Sequence, residues 1–255
     1  MSPAGNSGMF DEAEMYDLSI NWSARLEREI PVLTDVLGPP GSGGIIDAGC
    51  GTGRQARALA ERSYRVVGID ASTEMLEVAR RAKPERPADV RFVKGTYAEL
   101  YDAVGGGFDG LYCLANALAA AGSAARVAEA VERFGRCLRA GGRLFIQILN
   151  FEPMRAETPC VRGPRIVTVD GREYVSVRHF RFIDDRAEVT NVTLWNDDGW
   201  HQRAHTGTLY PVGLDELRSL LDKARLRVDH LWGSYGREPF EVESSVDLIV
   251  IATRL

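Results

Sequence analysis

Between Ile45 and Arg54 the chain reads Ile-Ile-Asp-Ala-Gly-Cys-Gly-Thr-Gly-Arg, and no other stretch limits its fold as much. An apolar run closes on glycines at alternate positions, Gly49, Gly51 and Gly53, and a helical pattern follows from Arg54 to Arg62. Glycine tolerates positive φ and lets a backbone approach a ligand closely. In an open α/β sheet that first strand–helix turn borders the ligand crevice beyond the carboxyl ends of the strands.

The chain continues in the same rhythm to residue 150. Apolar runs at Arg65–Asp70, Val90–Val93, Phe108–Leu114 and Arg143–Leu149 predict buried strands. Helical patterns at Thr73–Arg81, with Ser72 as N-cap, and at Ala124–Leu138 predict the helices between them. Ala140-Gly-Gly142 is expected to stop the second. A single helix is expected from Met15 to Leu37, because Leu18, Trp22, Leu26, Ile30 and Leu33 recur at helical spacing. From Phe151 to Leu209 only strands and turns are expected, about four antiparallel strands with hairpin signals at Asp170-Gly171 and Asp198-Gly199. A helix from Leu214 to Ala224 and two strands near 227–232 and 246–252 complete the chain. The expected fold class is α/β: a Rossmann-like, seven-stranded, mostly parallel sheet with an N-terminal helical cap and an antiparallel β insertion after the fifth strand. The expected units are a cap over residues 1–40, a ligand-binding core over 41–150, the insertion over 151–209 and a C-terminal part over 210–255.

At 255 residues and 45% apolar the chain can bury a sizeable core. A net charge of −5 without a basic run argues against a nucleic-acid partner, since phosphate neutralisation needs clustered cations. No apolar run approaches the ~18 residues of a membrane span. Residues 1 to about 10 look disordered and lack the features of a secretory signal, so a cytoplasmic location is expected. Cys50, Cys113, Cys137 and Cys160 form no CxxC pair, which leaves buried reduced thiols and no metal site as the expectation.

Two details choose the ligand. Dinucleotide-binding turns place a third glycine where this chain has Arg54. Asp47 would repel a pyrophosphate but suits a ligand with a positive ammonium, as S-adenosylmethionine has. Asp70 ends the second strand, 17 residues after Gly53, where a carboxylate can accept hydrogen bonds from ribose hydroxyls.

These residues resemble class I S-adenosylmethionine-dependent methyltransferases. The likeness rests on 46–53, 67–76, Phe108-Asp109 and 138–144 in that order, spanning about residues 45–150. It implies S-adenosylmethionine as cofactor and S-adenosylhomocysteine as product, with Asp47, Ala48, Gly49, Cys50, Gly51 and Gly53 at the methionine part and Asp70 and Ala71 at the ribose. Thr96, Tyr97 and Ala98 would flank the adenine and Met75 would close its other side. Outside the core, Tyr16, Trp22 and Arg25, the segment Cys113-Leu-Ala-Asn-Ala-Leu118 and the segment Ile146-Gln-Ile-Leu-Asn-Phe151 look like the glycine/sarcosine N-methyltransferase group, and more loosely like aminosugar N,N-dimethyltransferases. That resemblance implies Tyr16, Trp22, Arg25 and Leu114 around the cofactor, with Arg25 at its carboxylate, and Asn116 beside the transferred methyl. Where the glycine-specific enzymes carry an arginine for the substrate carboxylate, this chain has Leu149, so an acidic acceptor would need Arg178 or Arg181 from the insertion.

The expected function is methyl transfer by in-line displacement to a small-molecule acceptor, with an amine nitrogen favoured. O-methylation of a natural product or sugar and a non-catalytic S-adenosylmethionine-binding regulator are the alternatives. An NAD-dependent dehydrogenase is disfavoured by Arg54 and Asp47, and RNA methylation by the acidic balance. Candidate catalytic residues are Asn116, His205 and Tyr210; candidate acceptor-binding residues are Asn116, Asn150, Arg178 and Tyr210. The insertion also suits contact between copies of the chain.

Overall fold

The computed structural model describes residues 12–84, 86–157, 159–169 and 171–255, apart from the side chains of Glu12 and Glu14. The expectation of disorder over residues 1 to about 10, and Asp170 of the first hairpin signal, lie outside the described residues.

Two helices open the described chain, α1 (Glu12–Leu18) and α2 (Trp22–Leu37), where one was expected. The break falls at Asn21, whose side chain accepts from the Ala24 N–H and caps α2, while the Ser19 hydroxyl donates back to the Tyr16 carbonyl. Asn and Ser hydrogen-bond nearby backbone readily and so end helices that apolar spacing alone would continue.

Alternation follows: β1 (Ile45–Ala48), α3 (Arg54–Ala60), β2 (Val66–Asp70), α4 (Thr73–Arg81), β3 (Val90–Lys94), α5 (Leu100–Val104), β4 (Phe108–Cys113), α6 (Ala124–Cys137) and β5 (Leu138–Leu149). Ser72 caps α4 by accepting from the Met75 N–H, as its position predicts. The segment Ala140-Gly-Gly142 is not a loop; β5 begins at Leu138 opposite Phe108 and takes up the glycines in an irregularity of register. After a short helix α7 (Glu152–Arg155), which the sequence reading missed, come β6 (Cys160–Val169), β7 (Arg172–Ile183), β8 (Arg186–Asn196) and β9 (Trp200–Leu209). The chain ends with α8 (Leu214–Lys223), β10 (Leu226–Trp232) and β11 (Asp247–Arg254).

The main sheet has the order β10-β11-β5-β4-β1-β2-β3, with β1 to β5 parallel and β11 antiparallel to both β5 and β10. Strand alternation sends Ile46 and Ala48 into one core cluster, with Phe134 and Leu217, and Ile45 into another, with Leu33 and Leu59. Both faces of β1 are therefore buried, which is why its four residues show no polar alternation. The order reverses between β1 and β4, and the loops after those strands part there to leave a crevice. The four insertion strands form a separate antiparallel sheet in the order β6-β7-β8-β9. Its base packs through Phe180, Phe182, Val189 and Leu209 against Phe151 and Met154. Among the described residues no helix is long and apolar enough to cross a membrane, and the four cysteines are free and buried.

Candidate active site

The loop after β1 takes the conformation its glycines allow: φ is +78° at Gly49, +54° at Gly51 and +72° at Gly53. A Cβ on Gly49 would lie 2.6 Å from the Ala117 Cβ and 2.7 Å from the Tyr97 hydroxyl, so two strand ends close on this point. A Cβ on Gly51 would meet nothing, which leaves its backbone open to a ligand. Cys50 packs its sulfur toward Gly68 under β2, and Ala48 is fully buried, so both face the crevice through backbone only.

Asp70 fixes the loop from the neighbouring strand. Its Oδ2 accepts from the Gly51 N–H at 2.8 Å and its Oδ1 from the Ser72 N–H at 2.8 Å. A cavity of about 510 Å³ opens beside it, lined by Gly49, Asp70, Ala71, Thr96, Tyr97 and Ala98 among others. Six candidate cofactor residues from three separate loops thus meet at one cavity. The Thr96 N–H and hydroxyl both donate to Glu99, at 2.8 and 2.9 Å, and Tyr97 sets its ring edge-on to Phe134 at 5.4 Å. Met75 does not line this cavity; it sits in the first turn of α4, its N–H on Ser72.

Asp47 is 3% exposed and lies beside the buried Tyr112 hydroxyl, and among the described residues neither its Oδ2 nor that hydroxyl makes a well-formed hydrogen bond. Burial pushes its carboxyl up to about 7, with the charges of Asp70 and Glu29 adding and Tyr112 and Arg25 opposing. An orphaned buried carboxylate oxygen beneath an open glycine loop fits a ligand that brings a cationic donor. Above it Arg25 donates from Nε to Glu29 Oε1 at 2.8 Å, and Gln55 donates to the other Glu29 oxygen at 2.9 Å. Glu29, four residues after Arg25 on the buried face of α2, is a site residue that sequence reasoning missed; an acid on an apolar face at that spacing was its signal.

Asp17 was also missed, and nothing local marks it. It latches the cap to the glycine loop: Thr52 Oγ1 donates to Oδ1 at 2.6 Å, and Arg54 Nε donates to Oδ2 at 3.0 Å. Trp22 belongs to this latch. Its indole N–H donates to the Asp17 carbonyl, and the Arg25 and Arg54 guanidinium groups lie 5.1 and 5.6 Å from its ring. Its outer side lines a separate groove with β6. Tyr16 sits edge-on to Trp22, with ring centroids 6.2 Å apart. Asp17→Ala is expected to weaken S-adenosylhomocysteine binding about tenfold by freeing the cap, with faster release, which stopped-flow displacement measures; an unchanged release rate would contradict the latch.

The acceptor candidates divide. Asn116 stands in the left-handed region, φ +66°, at the end of β4, and its Oδ1 accepts from the Leu149 N–H at 2.6 Å. That oxygen is committed, and the amide N–H₂ has no partner among the described residues. Leu114 is buried just before it, and Gln147 holds the same turn by accepting from the Ala115 N–H at 2.7 Å. Asn150 is corrected: it is 5% exposed, its amide donates to the Val242 and Ser245 carbonyls at 2.7 and 2.9 Å, and it clamps a distant loop instead of facing a ligand. Tyr210 already has a partner. Its hydroxyl donates to the Glu216 carboxylate of α8, at 3.0 Å to the nearer oxygen. His205 lies exposed on the edge strand β9, opposite Asn191. Arg181 pairs with Glu188 on the exposed side of the insertion, whereas Arg178 is partly buried and electrostatically close to Tyr16 and Arg25.

A family model described as a methyltransferase domain matches residues 45–142. A cypemycin N-terminal methyltransferase from a Streptomyces species is 28% identical over 221 residues, covering 81% of this chain and 82% of its own. A glycine/sarcosine N-methyltransferase from Parasynechococcus marenigrum is 26% identical over 152 residues; the match covers 60% of this chain and about half, 54%, of that relative. The solved structure of an S-adenosylmethionine-bound amino pentose methyltransferase from Micromonospora echinaspora superposes with a TM-score of 0.74 over 99% of this chain and 100% of its own, at 22% identity.

Proposed function

We propose that this chain, an S-adenosylmethionine-dependent methyltransferase, methylates the amine nitrogen of a small molecule seated between the end of β4 and the insertion sheet. One observation supports the reading: among the described residues, none of the candidate acceptor groups in that region is a buried strong base. Asn150 and Tyr210 spend their polar groups internally, and His205 is exposed. An alcohol acceptor needs its proton taken by a strong base, whereas an amine needs only to arrive neutral. The names of the relatives above, which methylate nitrogen in two of three cases by their wording, support the same choice.

When bound, S-adenosylmethionine supplies a methyl group already activated on a sulfonium. Asp70 would hold its ribose, the open Gly51 backbone its methionine part, Asp47 its ammonium and Arg25 its carboxylate. The chain's remaining task is alignment and exclusion of water; alignment of this kind can supply several kcal/mol, with about 7–11 as its upper range. Asn116, tied to Leu149, fixes the turn at which the two substrates meet, and its amide N–H₂ can donate to an oxygen of the acceptor, which leaves the amine lone pair for the methyl carbon.

A screen for S-adenosylhomocysteine release over amines, amino acids, aminosugars and phenols tests the reading. Turnover is expected with amines and not with phenols; phenol turnover alone would reverse the choice of atom. Asn116→Ala is expected to lower kcat about tenfold while S-adenosylhomocysteine affinity stays within twofold. Asn116→Gly, which keeps the left-handed turn without strain, separates side chain from backbone. A defect confined to cofactor affinity would move Asn116 out of the acceptor region.

A further inference from the structure

Cross-strand partners of an antiparallel sheet share one face. On the inner face of the insertion sheet, Phe180, Phe182, Val189 and Leu209 pack onto the body, and Tyr174, Trp195 and His201 stack at the far end. Between these ends runs a polar row that crosses the sheet from Arg162 of β6 through Arg178 of β7 and Asn191 of β8 to His205 of β9, with Arg178 directly opposite Asn191.

Among the described residues the Arg178 guanidinium and the Asn191 Oδ1 lack partners. Arg162, Arg172 and Arg181 on the same sheet each pair with a carboxylate, Glu157, Asp197 and Glu188 respectively. Arg178 makes no ion pair or hydrogen bond among the described residues. Burial lowers its pKa, and among the described residues the charges near it are the cations Arg165 and Arg25, opposed by the Tyr16 phenol. Arg25 already has Glu29, so the uncompensated charge belongs to Arg178. The Asn191 Oδ1 is buried and accepts nothing. An unpaired, partly buried cation beside an orphaned acceptor is costly unless a ligand completes both.

We propose that Arg178 and Asn191 form the acceptor subsite, Arg178 pairing with a carboxylate on the acceptor and Asn191 Oδ1 taking one of its N–H donors. The acceptor is then an amine that carries a carboxylate. Adjacent positions on paired strands stand about 5 Å apart at Cβ, a span that one small zwitterionic molecule bridges. This rests on the methyl-transfer reading above and narrows its substrate class.

Trifluoroacetate serves as the carboxylate probe, titrated into the protein loaded with S-adenosylhomocysteine and followed by fluorine NMR. Line broadening is expected in the wild type, lost in Arg178→Gln and partly kept in Arg178→Lys. No broadening in the wild type, or equal broadening in Arg178→Gln, overturns the assignment. Calorimetry of S-adenosylhomocysteine on the same variants is expected to agree within twofold; a tenfold loss in Arg178→Gln would put the cofactor's own carboxylate there and overturn it too. In turnover, amino acids are expected to exceed their carboxamides at least tenfold in kcat/KM, and Arg178→Gln is expected to erase that preference through KM. Equal use of acid and amide, or methylation only of uncharged amines, overturns the subsite and leaves methyl transfer standing. Failure of the wild type to bind S-adenosylhomocysteine at all would instead defeat the reading on which the proposal rests.

Discussion

Replacing Asp70 by alanine is expected to weaken S-adenosylhomocysteine binding at least 100-fold. The carboxylate is held in one orientation because each oxygen already accepts a backbone N–H, from Gly51 and from Ser72, both at 2.8 Å. Each oxygen keeps a further lone pair, and together they match the two hydroxyls of a ribose. Hydrogen bonds to a charged acceptor contribute about 1.5–3 kcal/mol each, so losing two costs about 3 kcal/mol or more, a factor above 100. The variant also frees the Gly51 backbone, so Asp70→Asn is the informative partner: it keeps the shape, loses the charge and should lie between, near tenfold. Melting should fall by only a few degrees, since the lost backbone contacts lie at the surface of the crevice. Calorimetry reads the first effect and thermal unfolding the second. Unchanged affinity in Asp70→Ala would remove the ribose from this strand end.

Much of the site was legible because backbone carries it. Gly49, Gly51 and Gly53 announce a turn by composition, and Asp70 is marked by its place at the end of an apolar run. The Ser72 cap follows from a local hydrogen bond that sequence spacing specifies. The helix break at Asn21 was hidden because Leu18 and Trp22 keep helical spacing across it. Ala140-Gly-Gly142 looked like a stop, yet pairing with Phe108 draws it toward β5, a tertiary effect no local pattern reports. Asn150 was hidden for a related reason. A polar side chain at a strand end looks the same whether it faces a ligand or clamps a loop, and the partners of Asn150 lie 92 and 95 residues away. Asp17 was missed on the same ground: Thr52 and Arg54 reach it across 35 and 37 residues. Arg178 was visible only as one cation among several. Its distinction, the lack of an acid beside it, exists only once the strands are paired.

Asp47→Asn is expected to move binding and stability in opposite directions, and the pH dependence fixes the signs. Burial holds the Asp47 carboxyl at about 7. An unfolded aspartate ionises near 4, so between those values the native state binds the extra proton and stability falls as pH rises through the interval. Above about 7 the wild type carries the full cost of a buried carboxylate, about 4 kcal/mol as an upper limit from a shift of some three pH units. Asparagine has no such cost, so the ligand-free variant should melt higher than the wild type at pH 8, by less at pH 5, and nearly equal to it at pH 4 or below. Binding runs the other way. An ammonium ligand needs the ionised form, so wild-type affinity should rise through about 7 and fall again at higher pH once the ligand's own amino group deprotonates. The variant should lack the acidic limb and bind about 30-fold more weakly near neutrality, about 2 kcal/mol for a charged hydrogen bond. At pH 5.5, where Asp47 is protonated, the two proteins should bind alike. Calorimetry across pH 5 to 9 with S-adenosylhomocysteine, beside melting curves of the ligand-free forms, measures both. A variant that is weaker by the same factor at every pH would show that Asp47 holds the loop's shape and does not meet the ammonium.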